Sequence, residues 1–158
     1  MSRLKFDITE LEEDISVYGL SKKSNDKTQS KDIPAISQKY YKMADSRSGE
    51  VLPFFVISRD YDVNTKDFTL LIGGLHASEK LELFTIPKGI YVKTTIKPKL
   101  GFLWGLSIGE AKRAFYMNWL PDSDYESLNM EYEYHTKISK GKNPQIDILF
   151  SVKDAQNK

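Results

Sequence analysis

Hydrophobic and polar positions along the chain fall into two series that use the same order of periods. Residues 14–21 alternate loosely, as a strand does, and the polar run from Lys22 to Ser30 is expected to break it. Helical spacing follows. Ile33, Ile36, Tyr40 and Met43 fall on one stripe, with Asp32 placed as N-cap, Pro34 in the first turn and Ser46 to Glu50 closing the segment. Two runs rich in Phe, Val, Ile and Leu, residues 51–59 and 68–76, read as paired strands joined by turn chemistry from Asp60 to Asp67.

The second series repeats this order. Residues 89–97 alternate, with Ile90, Val92 and Ile96 on one face and Tyr91, Lys93 and Thr95 on the other. After a loop through Pro98 to Leu106, Ser107-Ile108-Gly109-Glu110 has the form of a capping box. Ile108, Ala111, Phe115 and Trp119 then make an apolar stripe that Pro121 stops. Strands at about 130–137 and 145–153 flank a turn at Gly141 to Pro144, and residues 154–158 read as a tail. The pattern predicts one α+β domain over residues 1–153. It comprises two strand-helix-strand-strand halves, about 11–78 and 79–153, on an antiparallel sheet with main helices near 33–44 and 107–119.

Composition narrows the function classes. A chain of 158 residues can bury a sizeable core by itself, and 40% hydrophobic with 28% charged residues is ordinary for a globular protein. Twenty-three Lys and Arg against 22 Asp and Glu leave a net charge of +1, which offers no cationic stripe for nucleic acid. No apolar run approaches the ~20 residues of a membrane helix, and the charged N-terminus is unlike a signal peptide, so a cytoplasmic location is expected. The absence of cysteine excludes disulfides and thiolate metal sites. His76 and His135 form no metal-ligand spacing, no glycine-rich phosphate loop occurs, and no cofactor or metal is expected. Gly105-Leu106-Ser107-Ile108-Gly109 matches a nucleophile-elbow pattern, but it lacks the buried strand that must precede the serine, and Ser107 is better explained as a helix cap.

Several segments in order carry a family resemblance: Ile33-Pro34-Ala35-Ile36 opening a helix, the Ile86-Pro87-Lys88-Gly89-Ile90-Tyr91 strand entry, the Trp119-Leu120-Pro121-Asp122-Ser123-Asp124-Tyr125 helix exit, and Tyr132-Glu133. Over residues 11 to 153 the chain resembles the GyrI-like effector-binding family. That resemblance implies two modules related by a pseudo-twofold, a ligand cleft between them, and a glutamate, Glu133, facing the cleft. His135 stands where the family commonly has a tyrosine, and a tryptophan often found near Ser37 is missing, so ligand identity does not carry over.

Read from the residues, Glu133 shares a strand face with Glu131 and His135, while Met130, Tyr132 and Tyr134 take the other. Tyr91, on the polar-parity face of its own strand, is placed on the same cleft wall as Glu133. Trp119 fits either the core or a ligand platform, and Trp104 either a lid over the cleft, in the loop Gly101 to Gly105, or a loop tucked onto the core. Adjacent Tyr40 and Tyr41 put one ring in the core and turn the other, Tyr41, toward a cleft edge. The function expected is binding of a small hydrophobic, cationic or heteroaromatic ligand of multidrug type, as a sensor or sequestering protein in transcription regulation or drug resistance, with a separate protein as possible partner. Two alternatives stand beside it. One is a hydrolase of strained electrophiles, in which the resemblance assigns Tyr91 and Glu133 as catalytic residues; the other is a gyrase-inhibitor-like interaction module. An apolar cavity of roughly 300 Å³ or more between the helices would favour a ligand-binding role, and a closed cleft the interaction module.

Overall fold

The computed structural model describes residues 4–46, 51–100 and 103–155. Eight strands form one antiparallel sheet: β1 (Asp7–Leu11), β2 (Ile15–Asn25), β3 (Phe54–Arg59), β4 (Asp67–Gly74), β5 (Glu82–Ile86), β6 (Gly89–Ile96), β7 (Tyr125–His135) and β8 (Ile146–Asp154). Helix α1 (Gln29–Met43) follows β2, and α2 (Trp104–Ala114), continued by a π-helical turn at Phe115–Trp119, follows β6. The strand order β1-β6-β8-β7-β3-β4-β2-β5 is symmetric about the β3/β7 seam, as two like halves require. β1 and β5 were not expected as strands. Each is the leading strand of one half and pairs with the other, β1 with β6 and β5 with β2, so the halves are interlocked at both ends of the curled sheet.

Side-chain parity divides the interior. One face buries Val17, Phe55, Ile57, Leu71, Ile86, Tyr91, Met130 and Tyr132, with Leu11 and Leu149 packed beside them, so every strand contributes to a single cluster. The opposite face carries both helices. α1 sets Ile36 on Val56, Phe68, Leu70 and Ile72, while α2 and its π turn set Ala111 and Phe115 on Val92, Ile148, Phe150 and Val152. Phe115 stacks almost parallel on Phe150 at 3.9 Å between ring centres. Insertion of a π turn, closed by the Leu120 amide donating to the Phe115 carbonyl at 2.8 Å, lets Phe115, Tyr116 and Trp119 all face the sheet side of the helix.

Local departures from the sequence expectations have physical causes. The polar run after Ser21 does not break β2, because cross-strand pairing continues to Asn25 opposite Asp67 and outweighs its weak strand propensity. Asp32 is no N-cap: α1 begins one turn earlier, and the Asp32 carboxylate accepts from Lys22 Nζ at 2.7 Å, Ser24 Oγ at 2.7 Å and Thr28 Oγ1 at 2.9 Å. Those three donors hold its carboxyl at about 2 against the burial that would raise it. Met43, expected in the buried stripe, is exposed. Ser107 does not cap α2, which starts at Trp104; its hydroxyl accepts from the Lys99 amide at 2.9 Å, and Glu110 pairs with Lys99 Nζ at 2.6 Å, so the supposed capping box ties the preceding loop to the helix. Asp154 belongs to β8 and the Ala155 amide donates to the Asp124 carbonyl at 2.9 Å, which leaves only 156–158 of the expected tail, outside the described residues.

Candidate functional site

Each helix covers its own half of the sheet, and the seam between β3 and β7 lies between them. Register sets its floor. Phe54 pairs with His135, Val56 with Glu133 and Ser58 with Glu131, so these six side chains share the face on which the helices lie. The walls are ridges at a spacing of four: Gln29, Ile33, Ser37 and Tyr41 from α1, and Trp104, Ile108, Lys112 and Tyr116 from α2. A cavity of about 670 Å³ occupies the end holding Tyr41, Phe54, Trp104, Ile108, Glu133 and His135. A second of about 610 Å³ lies beyond it, bounded by Asp26, Tyr61, Phe68, Tyr116 and Glu131. Gln29 and Lys112 border both.

Within the first chamber Glu133 is only 6% exposed. Its Oε1 lies 3.1 Å from His135 Nε2, and the other oxygen has no hydrogen-bond partner among the described residues. His135 in turn meets Phe54 edge-on, and Phe54 stacks on Tyr41 at 5.6 Å, giving a continuous aromatic wall that ends at the carboxylate. A carboxylate so placed has lost most of its water without gaining a full set of donors, and a cation or N–H donor entering the chamber would supply what is missing.

The second carboxylate of the floor has a cation beside it, although its Oε2 makes an ion-pair contact and accepts no well-formed hydrogen bond. Tyr116 donates to Glu131 Oε1 at 2.8 Å, and Lys112 Nζ lies 3.0 Å from Oε2. Burial by itself would lower the Lys112 ammonium, but the two carboxylates, Glu131 first and Glu133 second, more than offset this and hold it above the ordinary lysine value. Burial, reinforced by the Glu131 charge, pushes the Tyr116 phenol far up, so it stays a donor. Lys112, Tyr116 and Glu131 went unassigned in the sequence reading. Their signal was the i, i+4 spacing of Lys112 and Tyr116 and the shared parity of Glu131 with Glu133, which by itself reads equally as a solvated strand face.

Of the residues singled out from sequence, the structure brings Glu133, His135, Tyr41 and Trp104 to one chamber. Residues 101 and 102 of the expected aromatic lid lie outside the described residues, and Trp104 itself opens α2. Trp119 is not part of the cleft: it stacks on Phe115 at 5.6 Å and on Tyr125 at 6.1 Å, at the rim of the α2 core. Tyr91 is separated from Glu133 by the sheet. It pairs with Ser151, one position out of phase with the Val92–Phe150–Glu131 row, and its ring meets Tyr132 at 5.8 Å in the opposite cluster. There its hydroxyl donates to the Pro87 carbonyl at 2.6 Å, and burial pushes the phenol up to about 12. The expected common wall of Tyr91 and Glu133 is therefore not formed, because equal polarity along two strands does not fix which faces coincide across a third.

No group of three or more potential metal ligands occurs among the described residues. No helix among them is long and apolar enough to cross a membrane. Comparison with known proteins adds three similar structures. An integron cassette protein from Vibrio cholerae superposes with a TM-score of 0.66 at 14% identity, covering 94% of this chain and 95% of that one. SAV2435, solved bound to tetraphenylphosphonium, gives 0.68 at 11% identity, with 94% of each chain covered. EcmrR, seen in a complex with DNA, gives 0.60 at 17% identity, covering 96% of this chain and 58% of the other. Curated protein sequences yield no match. The sequence model of Cass2, the integron-associated effector-binding protein, matches residues 7–152. With that match spanning nearly the whole chain, and with two pseudo-symmetric halves meeting at an open cleft, this protein belongs to the Cass2 effector-binding family, a GyrI-like family.

Proposed function

We propose that the first chamber is the effector site and that it takes hydrophobic compounds carrying a positive charge or a polar heteroaromatic ring, the protein acting as a sensor or sequestering partner in transcription regulation or drug resistance. The observation that carries this reading is Glu133, 6% exposed at the floor of a cavity of about 670 Å³ and flanked by aromatic rings. In that setting a carboxylate attracts a cation more strongly than it would in water, and the faces of Tyr41 and Trp104 add cation–π attraction of roughly 0.5–2 kcal/mol each. Two features support ligand binding over a protein-interaction module: the cleft is open, and its volume is that of a small-molecule site. The bound tetraphenylphosphonium in SAV2435 supports the choice of a lipophilic cation as first probe. Reporting to a separate partner is consistent with the likeness to EcmrR, of which this chain matches 58%.

The test is calorimetric titration of tetraphenylphosphonium into the parent and Glu133→Gln, with triphenylphosphine oxide as an uncharged comparison. Glu133→Gln preserves shape and removes charge, so the cation should bind more weakly by about 1.5–3 kcal/mol, some 10- to 150-fold. The neutral compound should change little. Equal affinity of both proteins for the cation would mean that Glu133 is not the ligand's counter-charge.

A further inference from the structure

Lys112 has no role in the reading above, yet it stands at the centre of the cleft, on the border shared by both chambers. Its ammonium lies 3.0 Å from Glu131 and the two side chains are 25% and 12% exposed, so this is a largely desolvated pair. Tyr116 fixes the acceptor by donating to the other Glu131 oxygen. The floor thus contains two carboxylates two residues apart on β7, of which one is already neutralised by a cation of the protein itself.

We propose that Lys112 is a built-in counter-ion that sets the charge specificity of the cleft: by occupying Glu131 it leaves Glu133 as the single carboxylate of the floor open to an effector, and so selects singly charged cations over doubly charged ones. The inference rests on the cleft being the effector site. It follows from the fixed charges. Of the charged residues lining the two chambers, Asp26, Arg113 and Lys140 are exposed and Arg59 pairs with Asp60, whereas Glu131, Glu133 and Lys112 lie inside and together leave one negative charge, which a monocation balances and a dication overcompensates in a poorly solvated space. Position reinforces charge. A ligand reaching from the Glu133 chamber toward Glu131 meets the Lys112 ammonium first, so its second positive group faces a like charge across the border of the chambers. Lys112→Met keeps the length of the side chain and its packing in the α2 ridge but releases Glu131, doubling the available negative charge and removing the repulsion.

Ethidium and propidium test this, because they share one phenanthridinium ring system and carry one and two positive charges. Fluorescence titrations of both dyes would be made with the parent, Lys112→Met, Glu131→Gln, Lys112→Met with Glu131→Gln, and Glu133→Gln. The parent should favour ethidium. Lys112→Met should shift the affinity ratio toward propidium by about tenfold or more, the scale expected of one added charge pair in a partly desolvated site. Combining Lys112→Met with Glu131→Gln restores a single carboxylate with two neutral neighbours, and should return the ratio to that of the parent. Should Lys112→Met fail to fold, Glu131→Gln carries the test in the opposite sense: the freed ammonium turns to Glu133, and ethidium should weaken by about tenfold. An unchanged ratio in Lys112→Met, or unchanged ethidium binding in Glu131→Gln, would overturn the counter-ion role. Provided Glu133→Gln still weakens ethidium, either result would leave the effector site standing. Absence of ethidium binding to the parent at about 1 mM would overturn the effector site and this proposal together.

Discussion

Gly73→Ala adds one methyl group at the place where the sheet is most tightly constrained. Gly73 of β4 faces Gly19 of β2, and Gly19 also pairs with Glu82 of β5, so β2 changes partners here with neighbours on both edges. A Cβ on Gly73 would stand 2.1 Å from the Tyr18 carbonyl oxygen and 2.7 Å from the Gly19 Cα, both backbone atoms that no rotamer change can move. Ordinary contact begins at 3.4 Å, so the strands must part by more than an ångström. Parting by that much weakens about two ladder hydrogen bonds at roughly 1 kcal/mol each, and overpacking adds roughly 1–3 kcal/mol. The loss should be about 3–5 kcal/mol, lowering the melting midpoint by roughly 10 °C at the 2–4 °C per kcal/mol typical of this size. Gly109→Ala provides the comparison. Its Cβ meets nothing within 4 Å and it lies inside α2, so the same chemical change should stabilise by up to about 1 kcal/mol. Thermal unfolding followed by circular dichroism would decide it. A Gly73→Ala midpoint within about 2 °C of the parent would refute the close-approach argument.

Two more outcomes follow from groups described above. Asp32 has its carboxyl held at about 2, below the ordinary 3.8 of the unfolded chain, so its contribution is fully present above pH 4 and is lost as pH falls through about 2. Melting midpoints of the parent should therefore fall more steeply between about pH 4 and 2 than those of Asp32→Asn, and parallel curves would show that the Lys22, Ser24 and Thr28 contacts do not persist in solution. Tyr91→Phe removes the donor to the Pro87 carbonyl on the far face of the sheet, and should cost about 0.5–1.5 kcal/mol of stability while leaving tetraphenylphosphonium affinity within about twofold. A tenfold loss of affinity in that variant would put Tyr91 back in the effector site.

Periodicity carried the fold a long way. The stripes containing Ile36 and Tyr40, and Ala111 and Phe115, gave both helices, and alternation or apolar runs bounded by turn residues gave six of the eight strands. β1 and β5 escaped because they are short edge strands with mostly exposed residues, recognisable only through their partners β6 and β2. Capping was misread at Asp32 and Ser107 for one reason: a Ser or Asp hydroxyl or carboxylate that suits the first turn of a helix serves equally well to bind a distant backbone or side-chain donor, and sequence spacing does not distinguish the two. The family motif placed Glu133 in a cleft that parity alone would have left on a solvated face. Tyr91 went astray because its side of β6 relative to β7 depends on the register of the intervening β8 and on the irregularity between Ser127 and Glu131.

Duplication also explains why the site lies where it does. Each helix is anchored by a cluster belonging to its own half, Ile36 over Val56, Leu70 and Ile72 in one, Ala111 and Phe115 over Ile148 and Phe150 in the other. Neither can shift toward the seam without uncovering apolar surface worth about 25 cal/mol per Å². The stretch of β3 and β7 between them is consequently the part of this face left open to the cleft, and it is where Glu133 sits at low exposure beside Phe54 and Val56. The interlocked leading strands keep that floor from opening, since separating the halves would require breaking the β1–β6 and β2–β5 pairings as well as the central β3–β7 pairing. Among the side chains lining the cleft, Ile33, Trp104, Ile108 and Tyr116 also pack against the core clusters, whereas Lys112, Glu131, Glu133 and His135 belong to neither cluster. Exchanges at Lys112, Glu133 or His135 should change which effector binds while the two core clusters, and hence the fold, stay as they are.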